Sequence, residues 1–227
     1  LNSSLDSSAR PRQYDLIVFD WDGTLYDSTA LITRSIQSAC ADVGTTVPSD
    51  EAASYVIGLG LQDALRVAAP DLPPDRYTEL GLRYRHHYFA RKHELVLFDG
   101  VLDMLHSLKT RHHWLAVATG KNRRGLDEAL GSVQLKGMFD STRTADETAS
   151  KPNPQMLLEL MRELAVEPER TLMIGDTTHD LQLAVNAGAA GLGVSYGAHA
   201  HESFEAFAPV HVAHSVKELR QWLHENA

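Results

Sequence analysis

Two stretches of this sequence set carboxylates beside glycines and small hydroxyl residues. One is Asp20-Trp21-Asp22-Gly23-Thr24 and the other is Gly175-Asp176-Thr177-Thr178-His179-Asp180. Between them lie Thr119-Gly120-Lys121 and Ser150-Lys151-Pro152. Asp20, Asp22 and Asp176 gathered in one place would repel one another unless a cation neutralised them. All-oxygen ligation suits Mg²⁺, which keeps several waters and takes few carboxylates. Thr119 offers a hydroxyl, Gly120 an unobstructed backbone N–H, and Lys151 a point positive charge, all suited to phosphate oxygens. Metal, donors and lysine converging describe a phosphoryl-transfer site. A carboxylate there can act as nucleophile. A second carboxylate two residues later can protonate a leaving group and then activate water. Gly23 allows the sharp turn this needs.

These motifs must be delivered by the elements before them. Leu16–Phe19 is a short continuous apolar run, as are Trp114–Ala118, Thr171–Ile174 and Leu192–Val194. Such runs suit parallel strands covered on both faces. Pro209–Ala213 is a weaker strand, and another is expected around Phe139. Helical spacing fills the gaps: Val101, Leu102, Leu105 and Leu108; Leu126, Ala129 and Leu130; Met156, Leu157, Leu160, Met161 and Leu164; Leu181, Ala184 and Val185; Val216, Leu219 and Trp222. The alternation predicts an α/β fold, a Rossmann-like three-layer core with a parallel sheet. Ligands bind such sheets outside the carboxyl ends of the strands, where these motifs stand.

The alternation breaks over residues 28–97. Helices are expected at Leu31–Val43, Asp50–Val56, Leu61–Ala69 and Pro74–Lys92, punctuated by Pro48, Pro70 and Pro73. This predicts a small all-helical unit inserted after the first strand. The core is then 14–27 with 98–227, and the Ser-rich residues 1–13 form a disordered tail.

DWDGTLYDS with the late GDTTHD resembles the haloacid-dehalogenase-like phosphatases, and Thr119-Gly120 and Ser150-Lys151-Pro152 fit that superfamily's intermediate motifs. Order and spacing are similar to its phosphoglycolate-phosphatase-like branch, with a helical cap after the first strand. The resemblance runs from Tyr14 to Ala227. It implies Asp20 as nucleophile and Mg²⁺ ligand. It implies Asp22 as general acid/base, with its backbone carbonyl on the metal. Gly23, Thr119, Gly120 and Lys151 would hold the phosphoryl group. Asp176 would be the further metal ligand, with Asp180 and Thr177 supporting it. The superfamily's dehalogenases lack an acid at the place of Asp22, so its presence favours phosphate.

The resemblance also implies that Gly58-Leu59-Gly60-Leu61, between two cap helices, faces the active site as a specificity loop. The bases Arg76, Arg83, Arg85, Arg91 and Lys92 form a nearby cluster. One or two of them are expected to meet a substrate carboxylate or second phosphate, the rest forming a solvated face.

Rival motifs are thinner. Gly193-Val194-Ser195-Tyr196-Gly197 matches the G-x-S-x-G elbow of serine hydrolases, but no HGGG-type oxyanion segment accompanies it. Twelve histidines include the pairs His86-His87, His112-His113 and His199-x-His201, none in the HExxH form of zinc enzymes. Gly120-Lys121 lacks the leading glycine of a P-loop.

Composition narrows the setting. The 227 residues carry 30 acidic and 21 basic side chains, a net charge of −9, which disfavours nucleic acid as a partner. At 43% hydrophobic residues, wholesale disorder is excluded. No apolar run approaches a membrane span and no leader opens the sequence, so no membrane association is expected. The single Cys40 allows no internal disulfide, which fits a reducing, cytoplasmic compartment.

The expected activity is Mg²⁺-dependent hydrolysis of a small-molecule phosphate ester through a phospho-aspartyl intermediate, with 2-phosphoglycolate the leading substrate. Sugar phosphatase, 5'-nucleotidase, pyrophosphatase and phosphomutase activities stay open. So do, more remotely, a phospho-accepting signalling module and a serine esterase. Monomer and homodimer are both left open.

Overall fold

The computed structural model describes residues 13–227. The expected tail therefore lies, apart from Gln13, outside the described residues. Six strands form one parallel sheet: β1 Leu16–Phe19, β2 Trp114–Thr119, β3 Ser141–Thr144, β4 Thr171–Gly175, β5 Ala190–Val194 and β6 His211–Ala213. Their order across the sheet is β3-β2-β1-β4-β5-β6. The direction of travel reverses between β1 and β4, and a crevice opens outside their carboxyl ends at such a point. Asp20 and Asp176 follow those two strands.

Pleating sends alternate residues to opposite faces. Ile17, Phe19, Leu115, Val117, Leu172 and Ile174 pack with helices α5 (Val101–Thr110), α6 (Arg123–Ser132) and α9 (Val216–Asn226). Leu16, Val18, Ala116, Ala118 and Met173 pack with α7 (Gln155–Leu164) and α8 (Thr178–Ala187). Both faces are covered, so all four residues of β1 are fully buried. Each such side chain contributes about 1.5–3 kcal/mol, which rigidly anchors the strand that carries Asp20.

Residues 28–97 hold four α-helices: α1 Thr29–Asp42, α2 Asp50–Tyr55, α3 Leu61–Ala68 and α4 Tyr77–Arg91. They share an apolar cluster of their own, with Ile36, Val56, Leu65 and Leu80 buried in it. The entering and leaving chains run side by side: Tyr26 bridges Leu97, and the Asp27 N–H donates to the Val96 carbonyl (2.9 Å).

Several expectations shift. The strand expected around Phe139 begins at Ser141. As a polar edge strand (STRT) it offers no apolar run to detect. The stretch Pro74–Lys92 is not one helix, because Pro74–Arg76 is a 3₁₀ turn and Lys92–Glu94 another. Leu102 and Val185 are exposed, while Met104 and Leu183 take the buried positions. No helix among the described residues is long and apolar enough to cross a membrane.

Candidate active site

Asp20 is the first residue beyond β1, and its N–H still pairs with the Ile174 carbonyl of β4 (2.8 Å). That bond fixes its backbone against the neighbouring strand. Its side chain is 1% exposed. Lys151, from the loop between β3 and α7, donates from Nζ to Asp20 Oδ1 (2.5 Å) and Asp180 Oδ1 (2.7 Å). Asp176, after β4, accepts from the Thr24 hydroxyl (2.9 Å) and the Ala198 N–H (2.7 Å).

Asp180 belongs to the start of α8, where Thr177 is the N-cap. The two form a reciprocal capping box: the Thr177 N–H donates to Asp180 Oδ2 (3.1 Å) and the Asp180 N–H to Thr177 Oγ1 (3.3 Å), and the Thr177 hydroxyl also donates to Oδ2 (2.7 Å). Asp180 therefore does two things at once. One oxygen closes the helix end and the other holds Lys151.

Carboxylate oxygens of Asp20, Asp176 and Asp180 lie within 4.8 Å of one another. One lysine balances these three buried acids. Burial, with the Asp180 charge added, outweighs Lys151 and pushes the Asp20 carboxyl up to about 7. Burial and then the charges of Asp20 and Asp180 raise Asp176 well above the carboxylate range. Burial disfavours the Lys151 ammonium, but Asp180 and Asp20 outweigh it and hold the group charged. Asp20 Oδ2 is buried with no hydrogen-bond partner among the described residues. A buried, unpartnered carboxylate oxygen beside a second acid fits a hard, oxygen-seeking cation.

Asp22 does not join this trio. Its side chain accepts from the Ser28 hydroxyl (2.6 Å) and pairs with Lys121 Nζ (2.9 Å). The same ammonium donates to the Tyr88 hydroxyl (3.2 Å) on α4. Burial opposes the Lys121 charge, but Asp22 outweighs it and the pKa is raised.

Thr119 ends β2, fully buried, and its Oγ1 accepts the Lys121 N–H (3.2 Å). At Gly120 a Cβ would lie 2.3 Å from the Leu59 carbonyl oxygen and 2.6 Å from that of Gly58. The Gly60 N–H donates to Ser150 Oγ (2.8 Å). The Gly58-Leu59-Gly60 loop thus lies against both core loops, just before Leu61 opens α3. Gly23 has φ +88°, and a Cβ there would fall 2.1 Å from Asp176 Oδ2. Glycine is required on both counts.

A cavity of about 490 Å³ opens above these groups, with Asp20, Asp22, Thr119 and Gly120 on the core side and α3 and α4 opposite. Of the basic cluster, Arg85 and Lys92 line it. Arg76 and Arg91 pair with Glu79 and Glu94, and Arg83 is exposed.

Sequence reasoning passed over Lys121, Ser28, Thr24 and Tyr88. Lys121 had a readable signal, since it stands two residues after Thr119 on the same turn. Ser28 closes the DWDGTLYDS motif six residues after Asp22, whereas Thr24 and Tyr88 act through tertiary contacts that no spacing reveals.

The rival motifs land elsewhere. Ser195 Oγ is 2.7 Å from His214 Nδ1, but neither residue lines the cavity. His87 pairs with Asp42, and His113 Nδ1 lies 2.9 Å from the Tyr14 carbonyl. Among the described residues, the three-carboxylate group is the one cluster of three or more such side chains with converging ligand atoms.

The family model for haloacid dehalogenase-like hydrolases matches residues 17–194, from β1 through β5. The chain belongs to that family. This hydrolase is 33% identical over 210 residues to "Probable phosphatase IndB" of Dickeya dadantii, covering 90% of this chain and 91% of that one. It is 32% identical over 191 residues to the phosphoglycolate phosphatase of Aliivibrio fischeri, covering 80% and 84%. In fold, the hydrolase superposes on the crystal structure of a hydrolase from Pseudomonas syringae. The TM-score is 0.85 over 95% of this chain and 99% of that one, at 20% identity.

Proposed function

We propose that this chain is a Mg²⁺-dependent phosphomonoester hydrolase that uses Asp20 as its nucleophile. The chain is a phosphatase of the haloacid dehalogenase-like family acting on small phosphates. The observation that carries the mechanism is Asp20 itself: Oδ1 is held by Lys151, while Oδ2 is buried, unpartnered and beside Asp176.

Asp20 and Asp176 would hold the Mg²⁺ with the Asp22 backbone carbonyl, and Asp180 and Thr177 would support them. Bound there, the ion neutralises the carboxylates and the phosphoryl oxygens. Thr119 and the Gly120 N–H grip the phosphoryl group, and Lys151 balances its charge. Asp20 attacks phosphorus and the bond to the alcohol oxygen breaks. Asp22 in its protonated form gives that oxygen a proton. Water then attacks the phospho-aspartate, Asp22 takes its proton, and phosphate leaves. Residues 28–97 act as a cap, with Gly58–Leu61 its loop against the site. Closing such a lid excludes water and completes recognition. A cytoplasmic setting fits a chain with one cysteine. Phosphoglycolate is the first ester to assay.

The test is phosphate release from a panel of phosphoesters, with and without Mg²⁺, by the wild type, Asp20→Asn and Ser195→Ala. We expect metal-dependent release, lost with Asp20→Asn and kept with Ser195→Ala. Release that survives Asp20→Asn contradicts the proposal.

A further inference from the structure

The cavity is broader and less polar than a two-carbon phosphoester needs. Its roughly 490 Å³ falls in the about 300–1,000 Å³ class that encloses drug-sized ligands. Tyr26, Tyr84, Tyr88 and Phe89 line it, with Ile36 and Leu59. Tyr84 and Tyr88 lie face to face, with ring centroids 5.9 Å apart and planes tilted by 27°. Such walls suit a flat organic body, which gains offset or edge contacts with each ring.

Charge sets the other end of the ligand. Among the described residues, three Lys or Arg side chains line the cavity. Lys121 is committed to Asp22 (2.9 Å) and Lys92 to Glu128 (3.0 Å). Arg85 is half-buried on α4 and has no hydrogen bond or ion pair with any described residue. The cavity's other acids are engaged, Asp63 with Arg66, Glu128 with Lys92 and Arg124, and Asp146 with the Arg123 N–H, so the Arg85 guanidinium is left as a planar, two-pronged receptor for a carboxylate.

We propose that the substrate is a phosphomonoester whose alcohol carries a flat, largely apolar body and a carboxylate, the carboxylate being received by Arg85. This rests on the phosphatase reading above and makes Arg85 a specificity residue for it.

The test compares kcat/KM, with Mg²⁺, for phosphoglycolate, benzyl phosphate and para-carboxybenzyl phosphate. All three have aliphatic leaving groups. We expect the carboxybenzyl ester to exceed each of the others by about tenfold or more, the size of a charge-assisted contact. Arg85→Gln should erase the preference for carboxybenzyl over benzyl phosphate, mainly through KM, and Arg85→Lys should restore part of it. Phosphoglycolate turned over as well as the benzyl esters overturns the inference and leaves the phosphatase reading standing. So does a carboxylate preference that persists in Arg85→Gln, or one absent from the wild type. Absence of phosphate release from all three esters contradicts both readings.

Discussion

Lys121 Nζ lies 2.9 Å from Asp22 Oδ2 and, at 3.2 Å, donates to the Tyr88 hydroxyl. Both members of the ion pair are nearly dry, with side chains 12% and 11% exposed. One lysine on the core therefore ties the proposed acid/base to helix α4 of the helical unit. The position of that unit and the orientation of Asp22 are mechanically linked.

Lys121→Met should lower kcat through Asp22 rather than through binding. We expect a loss of about 10–100-fold, below the about 10²–10⁴-fold expected for Asp22→Asn. The loss should be greater for an alkyl ester than for para-nitrophenyl phosphate, whose leaving group needs little protonation. Equal losses on the two esters would show that Lys121 does not act on proton transfer.

The raised carboxylates give the metal-free protein an unusual pH dependence. Asp20 sits at about 7, against an ordinary value near 3.8, and Asp176 is raised in the same sense. Between those limits the folded state keeps protons that the unfolded chain releases, so this contribution to stability falls as pH rises. Urea denaturation with a chelator present, at about pH 5 and about pH 8, reads the slope. Asp20→Asn should flatten it. A slope unchanged in the variant would mean Asp20 does not carry the shift.

Lys151 is the only cation holding Asp20 and Asp180 among the described residues' ion pairs. Lys151→Met leaves three buried acids without it, and removing one partner of a buried pair costs about 3–5 kcal/mol. The expected result is a large fall in the urea midpoint without metal, partly recovered by Mg²⁺. A variant as stable as the wild type in chelator would show that the cluster does not depend on this charge.

Gly120→Ala places a methyl group where the Leu59 and Gly58 carbonyls now stand. The backbone on both sides must separate. A displacement of that size near a reacting group can cost on the order of 10²-fold in rate. We expect a loss of that order in kcat/KM with the circular dichroism spectrum unchanged. Full activity would mean that the loop does not rest on Gly120 during turnover.

The sheet was legible because its central strands are unbroken apolar runs, and Leu16–Phe19 needs no context to be read as buried. The polar edge strand Ser141–Thr144 was displaced for the opposite reason. The motifs were legible because backbone geometry forces them to strand ends, as with Asp20 after β1 and Asp176 after β4. Asp180 was readable as a helix-start acid, but its grip on Lys151 depends on a side chain 29 residues away in sequence. The pairing of Lys121 with Asp22 and Tyr88 joins three separate segments, so no local pattern encodes it. Helix phase was the other weak point: Leu102 and Val185 are apolar yet face solvent, because the pattern alone does not say where the sheet lies.

The nucleophilic role proposed for Asp20 can be tested directly. Asp22→Asn should let the phospho-enzyme accumulate, since it removes the group proposed to activate water. The quenched variant, after turnover of a good phosphoester with Mg²⁺, would be reduced with borohydride, digested and sequenced by mass spectrometry. Reduction converts an aspartyl phosphate to homoserine. We expect homoserine at position 20 in the peptide running from Gln13 to Arg34. Homoserine at another aspartate, or an unmodified Asp20 in a variant that still releases phosphate, would contradict the mechanism.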